Sequence, residues 1–134
     1  MAKVIGLTET VLFVHDLERA LAFYGDTLGL TVMEKPDKRG AIFLRAGDGG
    51  GAIPQQIVLV PLPPDAPAFP EDRTRRPLHH IGFEIASEDF ENERKRLEGL
   101  GFDVGLGEHP FLPLRGLYIS DSDGNEVELI APKA

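Results

Sequence analysis

Apolar and polar positions alternate with a period of two along TETVLFV (8–14), then change to helical spacing. In DLERALAFYGDTLG (16–29), Leu17, Ala20, Leu21, Tyr24 and Leu28 recur on one face of a helix. Asp16 stands at the N-cap position and Gly29 where a helix stops. Strand-like pieces follow at 30–34, 41–46 and 56–60, with Gly- and Pro-containing breaks between them.

The second half repeats this order. HHIGFEI (79–85) alternates like a strand, a helix is predicted from about Ser87 to Leu100 with Gly101 ending it, and strands fit at 102–105, 115–120 and 126–131. LGLTV (28–32) aligns with LGFDV (100–104) at an offset of 72, and Val14 with Ile85 at an offset of 71. The prediction is an α+β fold of two βαβββ modules, the first over 1–61 and the second over 78–134. The connector, 62–77, lies in PLPPDAPAFPEDRTRRP (61–77), which holds six of the eleven prolines and is predicted to lack regular structure. The basic runs RTRR (73–76) and ERKR (93–96) are expected to be solvated surface.

Side chains alternate across a strand, so parity separates the helix-covered face from the open one. In the second module Ile81, Phe83 and Ile85 should pack on the helix, leaving His80, Gly82 and Glu84 on the open face. The same parity puts His79 on the helix side. In the first module the repeat places Glu9, Val11 and Phe13 on the open face, because Glu9 plus 71 is His80. In the last strand Glu126, Glu128 and Ile130 are open-facing. A carboxylate inside an apolar strand is costly unless paired, hydrogen-bonded or bound to a metal. One imidazole and two carboxylates (His80, Glu9 and Glu128) form an acceptable ligand set for Zn, Mn, Fe, Co or Ni, with positions left open for water or substrate.

The composition narrows the partners. A formal net charge of −8 argues against nucleic acid, whose affinity rests on basic surface. No apolar run approaches the roughly 18 residues of a membrane helix. Zero cysteines leave no thiolate or disulfide chemistry, and with an N-terminus unlike a secretory signal the expected location is cytoplasmic. The glycines of AGDGGGA (46–52) lack a strand–loop–helix setting and are expected to form a hairpin rather than a phosphate loop. His15 and His109 are expected in surface loops.

VHDLERALAFYGDTLGL (14–30), HHIGFEI (79–85) and LYISDSDGNEVEL (117–129) together resemble the vicinal oxygen chelate superfamily of glyoxalases, extradiol dioxygenases and bleomycin- and fosfomycin-resistance proteins. Ser122 replaces a proline common in that family's last motif. The resemblance implies curved mixed sheets around a metal cleft, with Glu9, His80 and Glu128 at the ligand positions and Glu9 or Glu128 moving a proton. It implies a small oxygenated substrate, a homodimer, and a lyase, isomerase or dioxygenase activity. The alternative it offers is a metal-free, bleomycin-resistance-like binding protein. Val58 stands where glyoxalase I types carry a further Glu, and a single His departs from the extradiol pattern. Phe13, Phe43, Glu84, Arg115 and Tyr118 are the expected substrate contacts.

Overall fold

The computed structural model describes residues 1–34 and 36–133. The chain divides into two compact units, Met1–Ala68 and Phe69–Ala134, with the boundary inside the proline-rich connector.

In the first unit, β1 (Glu9–Val14) leads into α1 (Leu17–Leu21), then β2 (Thr31–Val32), β3 (Ile42–Gly47) and β4 (Gln55–Pro61). The sheet order is β1-β4-β3-β2, with β1 parallel to β4 and the other pairs antiparallel. In the second unit β5 (Ile81–Glu84), α2 (Phe90–Gly99), β6 (Gly105–Glu108), β7 (Leu114–Ser120) and β8 (Glu126–Pro132) repeat the arrangement as β5-β8-β7-β6. Both sheets are mixed and open-edged, and the class is α+β as predicted.

The first helix starts where the cap predicts: the Asp16 carboxylate accepts from Arg19 N–H at 3.1 Å. It does not continue as α-helix to Gly29. From Ala22 to Thr27 the backbone widens to a π-helical turn, and Leu28 N–H reaches Phe23 O, five residues back, at 2.9 Å. The wider turn turns both Phe23 and Tyr24 inward, whereas the α-helical spacing included only Tyr24. Gly29 (φ +81°) and Gly101 (φ +95°) take the left-handed conformation that ends each helix.

Burial follows the alternation in both sheets. Leu12, Val14, Ile42, Leu44, Ile57 and Leu59 form the core of the first unit with Ala20, Phe23 and Tyr24. Leu117, Ile119, Val127, Leu129 and Ala131 form that of the second with Phe90 and Leu97.

Two local expectations are corrected. The strand expected at 102–105 lies at Gly105–Glu108, because Phe102 N–H still bonds Leu97 O in the helix exit. The connector contains one 3-10 turn, Arg73–Arg75, whose N-cap Asp72 accepts from Thr74 N–H at 3.0 Å. In the run RTRR, Arg73, Thr74 and Arg75 are exposed as expected, while Arg76 is half-buried and anchored. Arg76 donates to Gly124 O at 3.2 Å, Asp123 O at 2.8 Å and Asn125 Oδ1 at 3.2 Å, while its guanidinium lies over the Phe69 ring.

Candidate metal centre

Glu128 sits in the middle of β8 on the face away from α2, opposite Gly82 on β5 and Tyr118 on β7. It is 8% exposed, which is unusual for a carboxylate without strong partners. Its Oε1 lies 3.3 Å from His80 Nε2, and the Tyr118 hydroxyl donates to it. Burial first, then that hydrogen bond and the charges of Glu128 and Glu126, push the Tyr118 phenol up to about 12. The phenol therefore stays protonated and donating throughout the physiological range.

Glycines clear the space these side chains occupy. A methyl at Gly116 would overlap the Glu128 carboxylate, and one at Gly107 would lie 2.7 Å from Tyr118 Cε2. At Gly82 it would meet Ile130 Cδ1 at 2.7 Å. The β6–β7 floor is thus scooped out around one carboxylate and one phenol, while Gly82 on β5 makes room for Ile130.

The turn before β8 holds that strand in place. The Asp121 carboxylate accepts from Asp123 N–H at 2.9 Å and from Asn125 N–H at 2.8 Å, and its other oxygen accepts from Asn125 Nδ2 at 3.0 Å. This buried Asx arrangement is the physical content of the DSDGN motif: it fixes where Glu126 and Glu128 emerge.

The strand register begins at Ile81, so His79 and His80 precede it and escape its alternation. The expectation that His79 turns to the helix side is corrected. Its Nδ1 lies 2.7 Å from His80 Nδ1, so one ring donates to the other. His79, His80 and Glu126 form a group whose possible ligand atoms all lie within 4.8 Å of one another. Glu126 is also engaged by Arg73, whose Nη2 donates to Glu126 Oε2 at 2.6 Å and to His79 O at 2.7 Å.

The other expected residues fall into four places. Glu9 opens β1 in the first unit, exposed and opposite Gln56. Phe13 (61% exposed) and Phe43 share the open face of that unit's sheet, across Val60 and Val58 respectively. Glu84 is exposed at the end of β5, on the same face as Glu128 but opposite Ile130. Arg115 lies on the opposite face from Glu128, as its parity with Leu117 dictates. Its guanidinium stacks 3.9 Å from the Phe90 ring centre, with Glu91 Oε1 at 3.7 Å. His109 sits in the β6–β7 loop and organises it, its Nδ1 accepting from Phe111 N–H at 3.3 Å and Leu112 N–H at 3.0 Å.

The residue chemistry fits a divalent ion. Two adjacent ligands with bonds of about 2.1 Å lie roughly 3.0–3.4 Å apart, and the His80–Glu128 pair is spaced at 3.3 Å. Glu126 was expected on the open face and His79 on the helix side, neither as part of the centre, and Arg73 and Gly116 were not expected there at all. The parity of Glu126 with Glu128 was an available signal, whereas nothing in the connector marked Arg73.

A family model described as the Glyoxalase/Bleomycin resistance protein/Dioxygenase superfamily matches residues 6–129. The chain belongs to that superfamily. Catechol-2,3-dioxygenase of Bacillus subtilis (strain 168) is 28% identical over 123 residues, covering 91% of this chain but 40% of that protein. The chain therefore spans well under half the length of this relative. Among solved structures, a putative glyoxalase family protein from Bacillus anthracis is similar with a TM-score of 0.72 and 23% identity, covering 99% of each chain. A genomically encoded fosfomycin resistance protein from Listeria monocytogenes aligns with a TM-score of 0.67 and 20% identity, over 98% of this chain and 96% of that one. These likenesses establish the fold. No helix among the described residues is long and apolar enough to cross a membrane.

Proposed function

We propose that this protein is a divalent-metal-dependent enzyme acting on a small oxygenated substrate, with His80 and Glu128 as ligands. The observation that carries the proposal is the buried Glu128 carboxylate, 3.3 Å from His80 Nε2 on a floor cleared by glycine. In this reading Glu9 of one chain of the homodimer is the third ligand to His80 and Glu128 of the other, by its repeat relation to His80 and the superfamily's ligand positions. The activity is of lyase, isomerase or dioxygenase type, in a homodimer located in the cytoplasm.

When bound, the ion supplies Lewis-acid stabilisation of charge on a substrate oxygen. The chain's own groups divide the remaining work. Tyr118 O–H donates to Glu128 and holds its carboxylate oriented for the ion. Glu128 is already engaged by His80 and Tyr118, which leaves the exposed Glu9 as the carboxylate with freedom to accept a proton. Phe13 and Phe43 offer apolar contact to the substrate, Glu84 a polar one.

The test is metal analysis of protein purified without chelator, followed by thermal melts with Mn, Ni, Co or Zn. A bound ion and a raised melting temperature are expected, and both should vanish in Glu128→Gln. Absence of any bound ion, with no stabilisation by the four metals, overturns the proposal in favour of a metal-free binding protein.

A further inference from the structure

The connector turn places a fixed cation beside the candidate centre. Asp72 caps the 3-10 turn by accepting from Thr74 N–H at 3.0 Å and Thr74 Oγ1 at 2.7 Å, and Arg76 pins the turn to the backbone of the β7–β8 loop. The turn presents Arg73, whose Nη2 bridges Glu126 Oε2 and His79 O. Glu126 lies two residues before Glu128 on β8, and alternation sends both to the same face. Its carboxylate belongs to the group formed with the two imidazoles, including that of His80. A carboxylate left unengaged there would be drawn to an ion on His80, because a divalent cation attracts any flexible anionic oxygen within reach. Arg73 answers that charge with its own.

We propose that Arg73 is a positioning residue that withholds Glu126 from the ion and thereby sets the number of carboxylates at the centre. The inference rests on the metal reading of His80 and Glu128. Its chemical consequence is a more strongly Lewis-acidic ion, since each added carboxylate neutralises charge and fills a position that substrate would take. One guanidinium nitrogen, Nη2, holds the carboxylate and the backbone carbonyl at once, a task that the several N–H donors of a lysine ammonium can largely take over.

Cobalt(II) is the probe, because its visible bands report coordination number independently of turnover. It is titrated into the full chain as wild type, Arg73→Met, Arg73→Lys, Glu126→Gln and the Arg73→Met/Glu126→Gln double variant. Wild type and Glu126→Gln are expected to share one spectrum and one affinity. Arg73→Met should change the band intensity and tighten binding by about tenfold, because the freed Glu126 carboxylate adds a charged ligand. The double variant should return to the wild-type spectrum, and Arg73→Lys should stay close to it. A merely structural Arg73 would not give a spectral change that is reversed by removing Glu126. An unchanged spectrum in Arg73→Met, or a loss of affinity that Glu126→Gln leaves in place, overturns the inference. So does a Glu126→Gln variant weakened as much as Glu128→Gln, which would make Glu126 a ligand. Wild type that binds no cobalt at all overturns the metal reading itself.

Discussion

The two units share strand order and pairing register, and they differ in the chemistry of one row of side chains. In the first, Val11 on β1, Val58 on β4 and Phe43 on β3 stand side by side. In the second, the same row reads Gly82, Glu128 and Tyr118. Val58 is 3% exposed and Glu128 8%, so the two positions are about equally buried. One holds a methyl-bearing side chain among apolar neighbours. The other holds a carboxylate with an imidazole, a phenol and glycine-made space around it. A repeated backbone therefore does not dictate a repeated function; the neighbours of one position do. The remaining asymmetry is at the entrance of each first strand, where Glu9 faces Gln56 while His80 sits beside His79.

Exchanging residues along this row is the strongest way to break the comparison. Val58→Glu puts a carboxylate between Val11 and Phe43 with no imidazole or phenol to receive it. A loss of about 3–5 kcal/mol of folding stability is expected, read by urea unfolding, because the charge is buried without a partner. The reverse exchange, Glu128→Val, should leave stability within about 1 kcal/mol, since a costly buried carboxylate is replaced by an apolar group. It should weaken divalent-ion binding by more than about a hundredfold in calorimetric titration, given that outer partners alone are worth roughly 10- to 100-fold.

Smaller changes sharpen the same contrast. Gly116→Ala drives a methyl into the Glu128 carboxylate, so a stability loss of about 1–3 kcal/mol from overpacking is expected together with weakened ion binding. Tyr118→Phe makes the second row resemble the first, where Phe43 stands. Removing one hydrogen bond to a carboxylate should cost about 1–2 kcal/mol in the unfolding midpoint assay. The subtlest effect is on pH. A phenol raised to about 12 in the folded chain, against about 10 unfolded, favours the native state fully below pH 10 and loses that contribution as pH rises through 12. Following the tyrosine ring carbons by NMR should show Tyr118 titrating near 12 in the wild type. In Glu128→Gln the value should move toward 10, because burial still raises it while the charge and the acceptor strength fall.

Much of the frame was legible in the residues because it follows from local rules. Period-two alternation gave the faces of β1, β5 and β8; Asp16, Gly29 and Gly101 gave helix limits; and the DSDGN motif gave the turn before β8. Where local rules misled, packing had decided otherwise. Phe23 and Tyr24 are both buried only because the helix widens into a π turn, which no spacing argument anticipates. Arg115, expected as a substrate contact, stacks on Phe90 on the face away from Glu128. His79 kept the parity of a strand that begins two residues later.

The sequence by itself determined that the chain is a doubled βαβββ unit, that Glu128 lies on an open sheet face, and that Glu9 and His80 are repeat partners. Each of these needs only the periodicity of the chain and the cost of a carboxylate among apolar residues. The tertiary structure alone decided that His80 Nε2 meets Glu128, that glycines on neighbouring strands make room for it, and that Arg73 reaches Glu126 from 53 residues away. Those contacts join segments distant in sequence, and side-chain distances across strands and loops have no local signature.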